Sequence, residues 1–353
     1  MNNNKQRRIP CSAARYSVLM ALVALMLALP FAPQARAEGG EATGKVVNPG
    51  TELWREARDA IKGTTQVEGV DSGVLIYDAG ERWRQYRMQQ LVPYGAMLLG
   101  GMLGILVLYY LIRGKIRIEA GRSGKVVRRY TASEMVVHWF LAITFVILAL
   151  SGLILLFGRW ALIPVLGPEV FSIVAVVSKN LHNYVGLLFS ALIPIAFFLY
   201  LKDSLFNFKV DGKWFRRLGG YLGGEEPSAE KVNAGQKSWY WVAMLGGLVL
   251  VASGLFLDFP NFQQSREWLQ SAHIIHTIAA VGVMAFFVVH LYLATVGVEG
   301  ALESMVNGHV DANWAKQHHD LWYEQVKDTA IDAQTLKSGE GGSAIGERKA
   351  ADA

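Results

Sequence analysis

His276-Thr-Ile-Ala-Ala-Val-Gly-Val-Met-Ala-Phe-Phe-Val-Val-His290 is the stretch whose reading decides the fold. No charged residue lies between its two histidines, and the apolar run extends over residues 274–297, long enough to cross the hydrocarbon core of a bilayer. An ionisable side chain inside such a span is costly and marks a function with a nameable partner. His276 and His290 are fourteen residues apart. In a helix that spacing is about 21 Å of rise with only about 40° of rotation. One helix face therefore carries a histidine at each of two membrane depths.

Working outward, further spans are expected at residues 91–112, 136–157, 182–201 and 238–257. Residues 161–177 are also apolar, but Pro164, Gly167 and Pro168 interrupt them, and a loop with an interfacial helix is expected there. The fold class is an all-α integral membrane protein: a four-helix bundle over 136–297 plus one extra N-terminal transmembrane helix at 91–112. A hydrophobic content of 52% in 353 residues agrees with this reading. The net charge of +5 is modest, and no basic patch is interleaved with aromatics in a soluble region, so nucleic acid is excluded as a partner.

Residues 1–37 read as a cleaved signal peptide: Lys5, Arg7, Arg8 and Arg15, then an apolar core at 16–29, Pro30 and Pro33, and the small-residue site Ala35-Arg36-Ala37. Cys11, the only cysteine, lies within it. The mature chain then has no disulfide, no covalently attached haem and no cysteine-held iron–sulfur cluster. Residues 38–90 form a polar periplasmic N-terminal segment with seven basic and nine acidic side chains. A short amphipathic helix is expected at Trp54 to Ile61 and an extended stretch at Gly73 to Tyr77.

Charge sets the orientation. The 113–135 loop carries Arg113, Lys115, Arg117, Arg122, Lys125, Arg128 and Arg129, and the 202–237 loop carries seven basic residues. The 158–181 and 258–273 loops carry only Arg159, Lys179 and Arg266 between them. The positive-inside rule makes the first pair of loops cytoplasmic. A periplasmic mature N-terminus followed by five spans also ends in the cytoplasm, so the chain is expected in a bacterial inner membrane. The 298–353 tail is then cytoplasmic, with a disordered end and with His309, His318 and His319 as solvated side chains.

With that topology, His182 and His276 share the periplasmic depth, and His138 and His290 share the cytoplasmic one. Two histidines from facing helices fill both axial positions of a haem iron and leave no open site, so such a centre passes electrons without bond chemistry. Two haems stacked across the bilayer are expected, with these four residues as iron ligands. His273 is about 100° around the helix from His290 and is left out of the ligand set. Ser151-Gly152, Gly186, Ser253-Gly254 and Gly282 offer small positions for close packing or for a porphyrin. The loop Val232-Asn-Ala-Gly-Gln-Lys-Ser-Trp239 sits at the His138/His290 depth, where Asn233, the Gly235 backbone and Gln236 offer hydrogen bonds to a quinone.

These motifs carry a family resemblance. Glu134-Met-Val-Val-His-Trp-Phe140, Ala149-Leu-Ser-Gly152, Leu181-His-Asn-Tyr-Val-Gly186, Asn233-Ala-Gly-Gln-Lys237, His290-Leu-Tyr292 and Trp314-Ala-Lys-Gln-His-His319 occur in that order. Together, over roughly residues 128–325, they resemble the cytochrome b (gamma) subunits of respiratory membrane-bound formate dehydrogenases. The resemblance implies two b haems, an iron–sulfur beta subunit, and a catalytic alpha subunit with molybdenum or tungsten that oxidises formate. It implies His182/His276 and His138/His290 as the ligand pairs, and menaquinone or ubiquinone held by Asn233, Gly235 and Gln236. Electrons would pass to quinone near the cytoplasmic face, with no catalytic side chain in this chain for formate itself. Assembly into a trimer is left open, as is the role of residues 38–112. Two alternatives stand beside this reading. One is the cytochrome b of a membrane-bound hydrogenase or other molybdoenzyme; the other is a haem-free anchor or transporter.

Overall fold

The computed structural model describes residues 78–337 apart from 263, so the expected signal peptide and the elements expected at Trp54–Ile61 and Gly73–Tyr77 lie outside the described residues. Among the described residues, five helices are long and apolar enough to cross a membrane. The first combines α1 (Asp78–Tyr86), a π-helical turn (Arg87–Leu91) and α2 (Val92–Arg113). The others are α3 (Ala132–Ala161), α4 (Ile163–Tyr200), α6 (Ala234–Asp258) and α7 (Arg266–Tyr292); the short α5 (Phe208–Arg216) precedes α6. Large apolar side chains such as Leu111, Ile173, Phe198 and Leu248 point outward on them, as lipid-facing residues do. The chain is an integral membrane protein built of helices.

Local chemistry sets the helix ends. Thr131 and Glu134 form a capping box at the start of α3: the Thr131 hydroxyl accepts from the Glu134 N–H, and the Glu134 carboxylate accepts from the Thr131 N–H at 2.7 Å. The expected loop at 161–177 is instead mostly helix, because Gly167 alone breaks the chain direction with φ 76° and Pro168 then starts a regular run to Tyr200. A left-handed turn of this kind favours glycine, and proline is tolerated in a first helical turn.

The described residues fall into two compact units, each taken by itself: 78–101 with 253–278, and 102–252 with 279–337. In the first, Trp83 of α1 meets His273 of α7 edge to face at 5.4 Å. In the second, α3 packs along α4, and Phe189, Ile193, Ala196, Tyr240 and Met244 form the core between α4 and α6. Gly247 lets α6 approach α4, since a Cβ there would lie 2.6 Å from the Ile193 side chain.

Where a basic loop and a tail are expected, the second unit instead contains a folded cap. β1 (Lys125–Arg128) is the middle strand of a three-stranded antiparallel sheet, between β2 (His309–Asp311) and β3 (Ile331–Asp332). The short helices α8 (Glu303–Val306), α9 (Ala312–His318), α10 (Asp320–Val326) and α11 (Ala333–Lys337) surround it. Ile118, Val127, Val310, Trp314 and Trp322 make its apolar core. Arg122 pairs with Glu303 at 2.5 Å, so part of the loop's positive charge is neutralised by the tail.

Candidate functional site

His138 lies nearly two turns into α3, past the capping box, and His290 near the end of α7. Their rings approach edge to face, with centroids 6.4 Å apart and planes at 61°. Two imidazoles bound through one nitrogen each to a single metal ion, at about 2 Å, have ring centres about 6 Å apart. The pair therefore fits a single iron held between two imidazoles, the donor set expected for haem b. The surroundings are aromatic. Trp239 lies parallel to His290 at 5.1 Å and 14°, and Trp139 meets His138 edge to face at 5.5 Å. Trp139 is itself tied down, its indole N–H donating to the Met305 carbonyl at 2.7 Å. The His138 Nδ1 atom is buried and has no hydrogen-bond partner among the described residues.

His182 and His276 have a different setting, which repeats. Ser151 Oγ lies 2.9 Å from His182 Nδ1, and Ser253 Oγ lies 2.9 Å from His276 Nδ1. A Cβ on Gly152 would sit 3.3 Å from His182 Cε1, and one on Gly254 would sit 3.3 Å from His276 Cε1. Each imidazole thus rests on a Ser-Gly dipeptide: the hydroxyl takes one ring nitrogen and the missing side chain leaves room for the ring edge. The Ser151 hydroxyl also reaches the Ile147 carbonyl at 2.7 Å; donating there, its oxygen would accept from an Nδ1–H of His182, the tautomer that carries its lone pair on Nε2.

The remaining expected residues are also placed. Asn233 and Gln236 cap α6 reciprocally: Asn233 Oδ1 accepts from the Gln236 N–H at 2.9 Å, and Gln236 Oε1 accepts from the Asn233 N–H at 3.1 Å. A Cβ on Gly235 would lie 2.6 Å from the Trp214 ring, so packing against α5 is one reason for glycine there. Gln236 is one turn before Trp239, the residue stacked on His290, which ties this loop to the histidine pair. His273 Nδ1 and Trp83 Nε1 are both buried without a hydrogen-bond partner among the described residues. Gly282 has open space around it and Gly186 only the edge of Leu148, so neither makes room for a neighbour as Gly152 and Gly254 do.

The tail histidines differ from the solvated side chains expected. His319 is only 1% exposed; Arg129 donates to its Nε2 at 3.1 Å, and its Nδ1–H donates to the Glu230 carbonyl at 2.7 Å. Burial, reinforced by the Arg129 guanidinium, holds its imidazole well below the usual histidine range, so it is neutral. His318 pairs with Glu226 at 2.6 Å. Arg129 also donates to Gln236 Oε1 at 3.0 Å, and Lys237, fully buried, is held by Asp211 at 2.9 Å and Glu230 at 2.8 Å. Hydropathy and spacing missed this polar network, because Arg129 meets His319 across 190 residues of chain and His319 meets Glu230 across 89. In the sequence the two Ser-Gly dipeptides read only as small positions. Their repetition, one per neighbouring helix, was the available signal for a contact with histidine.

Residues 129–308 match the prokaryotic cytochrome b561 family. The chain is similar to the formate dehydrogenase cytochrome b556(fdo) subunit of Escherichia coli, 34% identical over 206 residues, which is 57% of this chain and 93% of that protein. It is also similar to the nitrate-inducible formate dehydrogenase cytochrome b556(Fdn) subunit of Escherichia coli, 27% identical over 58% of this chain and 94% of that one. A formate dehydrogenase cytochrome b556 subunit of Haemophilus influenzae is 29% identical over 59% of this chain and 87% of its own length.

Proposed function

The chain belongs to the prokaryotic cytochrome b561 family, and from that premise we propose that it is the membrane cytochrome b subunit of a formate dehydrogenase, delivering electrons to quinone. Haem b held between two imidazoles supplies one-electron transfer with no open coordination position. His138 and His290 would hold one such group, and the 6.4 Å separation of their rings is the observation that carries the reading. His182 and His276 would hold the second. Their assignment to one haem rests on their shared depth in the sequence topology and on the matching Ser-Gly support of each.

The loop charges support an orientation with the His138/His290 end toward the cytoplasm. Electrons from an iron–sulfur partner would then enter at the His182/His276 end and leave at the other. A partner with molybdenum or tungsten would oxidise formate outside the cytoplasm. Asn233, Gly235 and Gln236 would orient a menaquinone or ubiquinone beside Trp239. The oxygens of Asn233 and Gln236 are engaged in the cap, which leaves their amide NH2 groups as the donors to quinone oxygens. Proton uptake on that side would make the reaction charge-separating.

The purified complex tests this. Two b-type haems per chain by pyridine haemochrome are expected, with one lost from His182→Ala and from His138→Ala, and formate-to-quinone turnover lost in both. Turnover that survives either change refutes the route. Co-purification of hydrogenase subunits in place of formate dehydrogenase subunits refutes the donor.

A further inference from the structure

We infer that Ser151 and Ser253 tune the donor strength of His182 and His276, making theirs the lower-potential haem position and so biasing electron flow toward the His138/His290 end. The inference rests on the reading of these four histidines as iron ligands. It begins from a geometric fact about each imidazole. The Ser151 hydroxyl has the Ile147 carbonyl at 2.7 Å and Leu148 O at 3.1 Å to donate to. Donating there leaves its oxygen as an acceptor for His182 Nδ1–H. Ser253 stands at the same 2.9 Å from His276 Nδ1, again on the residue before a glycine that clears the ring edge.

An imidazole that donates from Nδ1 is a stronger electron donor through Nε2, because the acceptor stabilises positive charge building on the ring. A stronger donor favours ferric over ferrous iron, which lowers the reduction potential; hydrogen bonding to axial ligands is one of the levers by which a protein sets it. At the other pair His138 is built without that lever: its Nδ1 is buried and unpartnered among the described residues, and His290 is flanked by the parallel face of Trp239. With at least one unassisted imidazole that pair is the weaker donor, and electrons run downhill from the serine-backed pair to the aromatic-walled pair. Ser151 and Ser253 are positioning residues in this scheme, since they act through the histidines.

A redox titration of the intact complex in membranes, read in the b-type absorption bands, tests the assignment. The unmodified complex is expected to show two waves. Ser151→Ala and Ser253→Ala should each retain both haems, shift the lower wave upward and leave the higher one in place; the ferric EPR signal of the shifted centre should change as well. Ser151→Thr, which keeps the hydroxyl, should titrate like the parent. If an alanine variant does not accumulate, Ser151→Thr and Ser151→Val give the same comparison at nearly equal volume. A lower wave that stays put in both alanine variants, or a shift of the higher wave instead, overturns the inference. Failure of the underlying reading looks different: no b-type absorption in the parent complex, or full haem content in His182→Ala and His276→Ala.

Discussion

His182 and His276 lean on serine hydroxyls and bare glycine backbone, whereas His138 and His290 approach each other edge to face among tryptophan rings. The same side chain is thus held in two ways. At the first pair one ring nitrogen is occupied by a local hydrogen bond; at the second the rings are held by stacking and, through the start of α6, by a polar cap. The difference teaches that four histidines of similar hydropathic context need not be electronically equivalent. What surrounds the far nitrogen of the ring separates them.

The contrast can be broken by filling the glycine positions. Gly152→Val or Gly254→Val would drive a branched side chain into an imidazole edge already within 3.3 Å of the Cβ position. Loss of one haem of the two is expected, measured by pyridine haemochrome, whereas Gly282→Ala, which meets open space, should retain both. Equal haem content in all three would mean that the Ser-Gly support does not position the ligands.

A second change acts on the aromatic-walled end alone. Lys237 is two residues before Trp239, with no exposed surface, and its ammonium is bonded to Asp211 and Glu230. Lys237→Met removes that charge and leaves Asp211, 4% exposed, without its cation. Breaking a buried pair in this way costs about 3–5 kcal/mol. Thermal unfolding followed in the haem bands should show one centre released early and the other unchanged. Simultaneous release of both would show that the two ends are not separable.

The smallest effect concerns pH. The folded-state pKa of His319 lies well below its ordinary value, so an unfolded cap takes up a proton that the folded cap resists. The stabilisation is complete above the ordinary histidine pKa of about 6.5 and is lost as pH falls below it. Arg129 on one side, Glu230 on the other and His318 next to it are the titratable neighbours. Acid release of the cap, followed by limited proteolysis after β2, should begin in that window and be flattened in His319→Gln. A pH-independent cleavage rate would assign the cap's stability to its apolar core instead.

Much of the site was legible because it follows from period and length. The fourteen-residue interval between His276 and His290 alone places two histidines on one helix face, and one of them, His290, approaches His138. The apolar runs likewise mark all five spans, although 161–177, expected as a loop with an interfacial helix, is mostly helix that Gly167 and Pro168 only redirect and restart. The cap was not legible. β1 and β2 have strands of only four and three residues, too short for an alternation pattern, and they pair across about 180 positions of chain.

Hydrophobicity, helix period and charge asymmetry are local properties of the chain, and from them the sequence by itself determined a membrane bundle with histidines at two depths. Only the tertiary structure decided which atoms those histidines meet. A hydroxyl 2.9 Å from Nδ1, a tryptophan parallel to a ring, and a tail histidine buried against Arg129 are contacts between residues distant in sequence. Hydrogen bonds and ring stacking act over a few ångströms, so which ones form depends on how the helices are brought together.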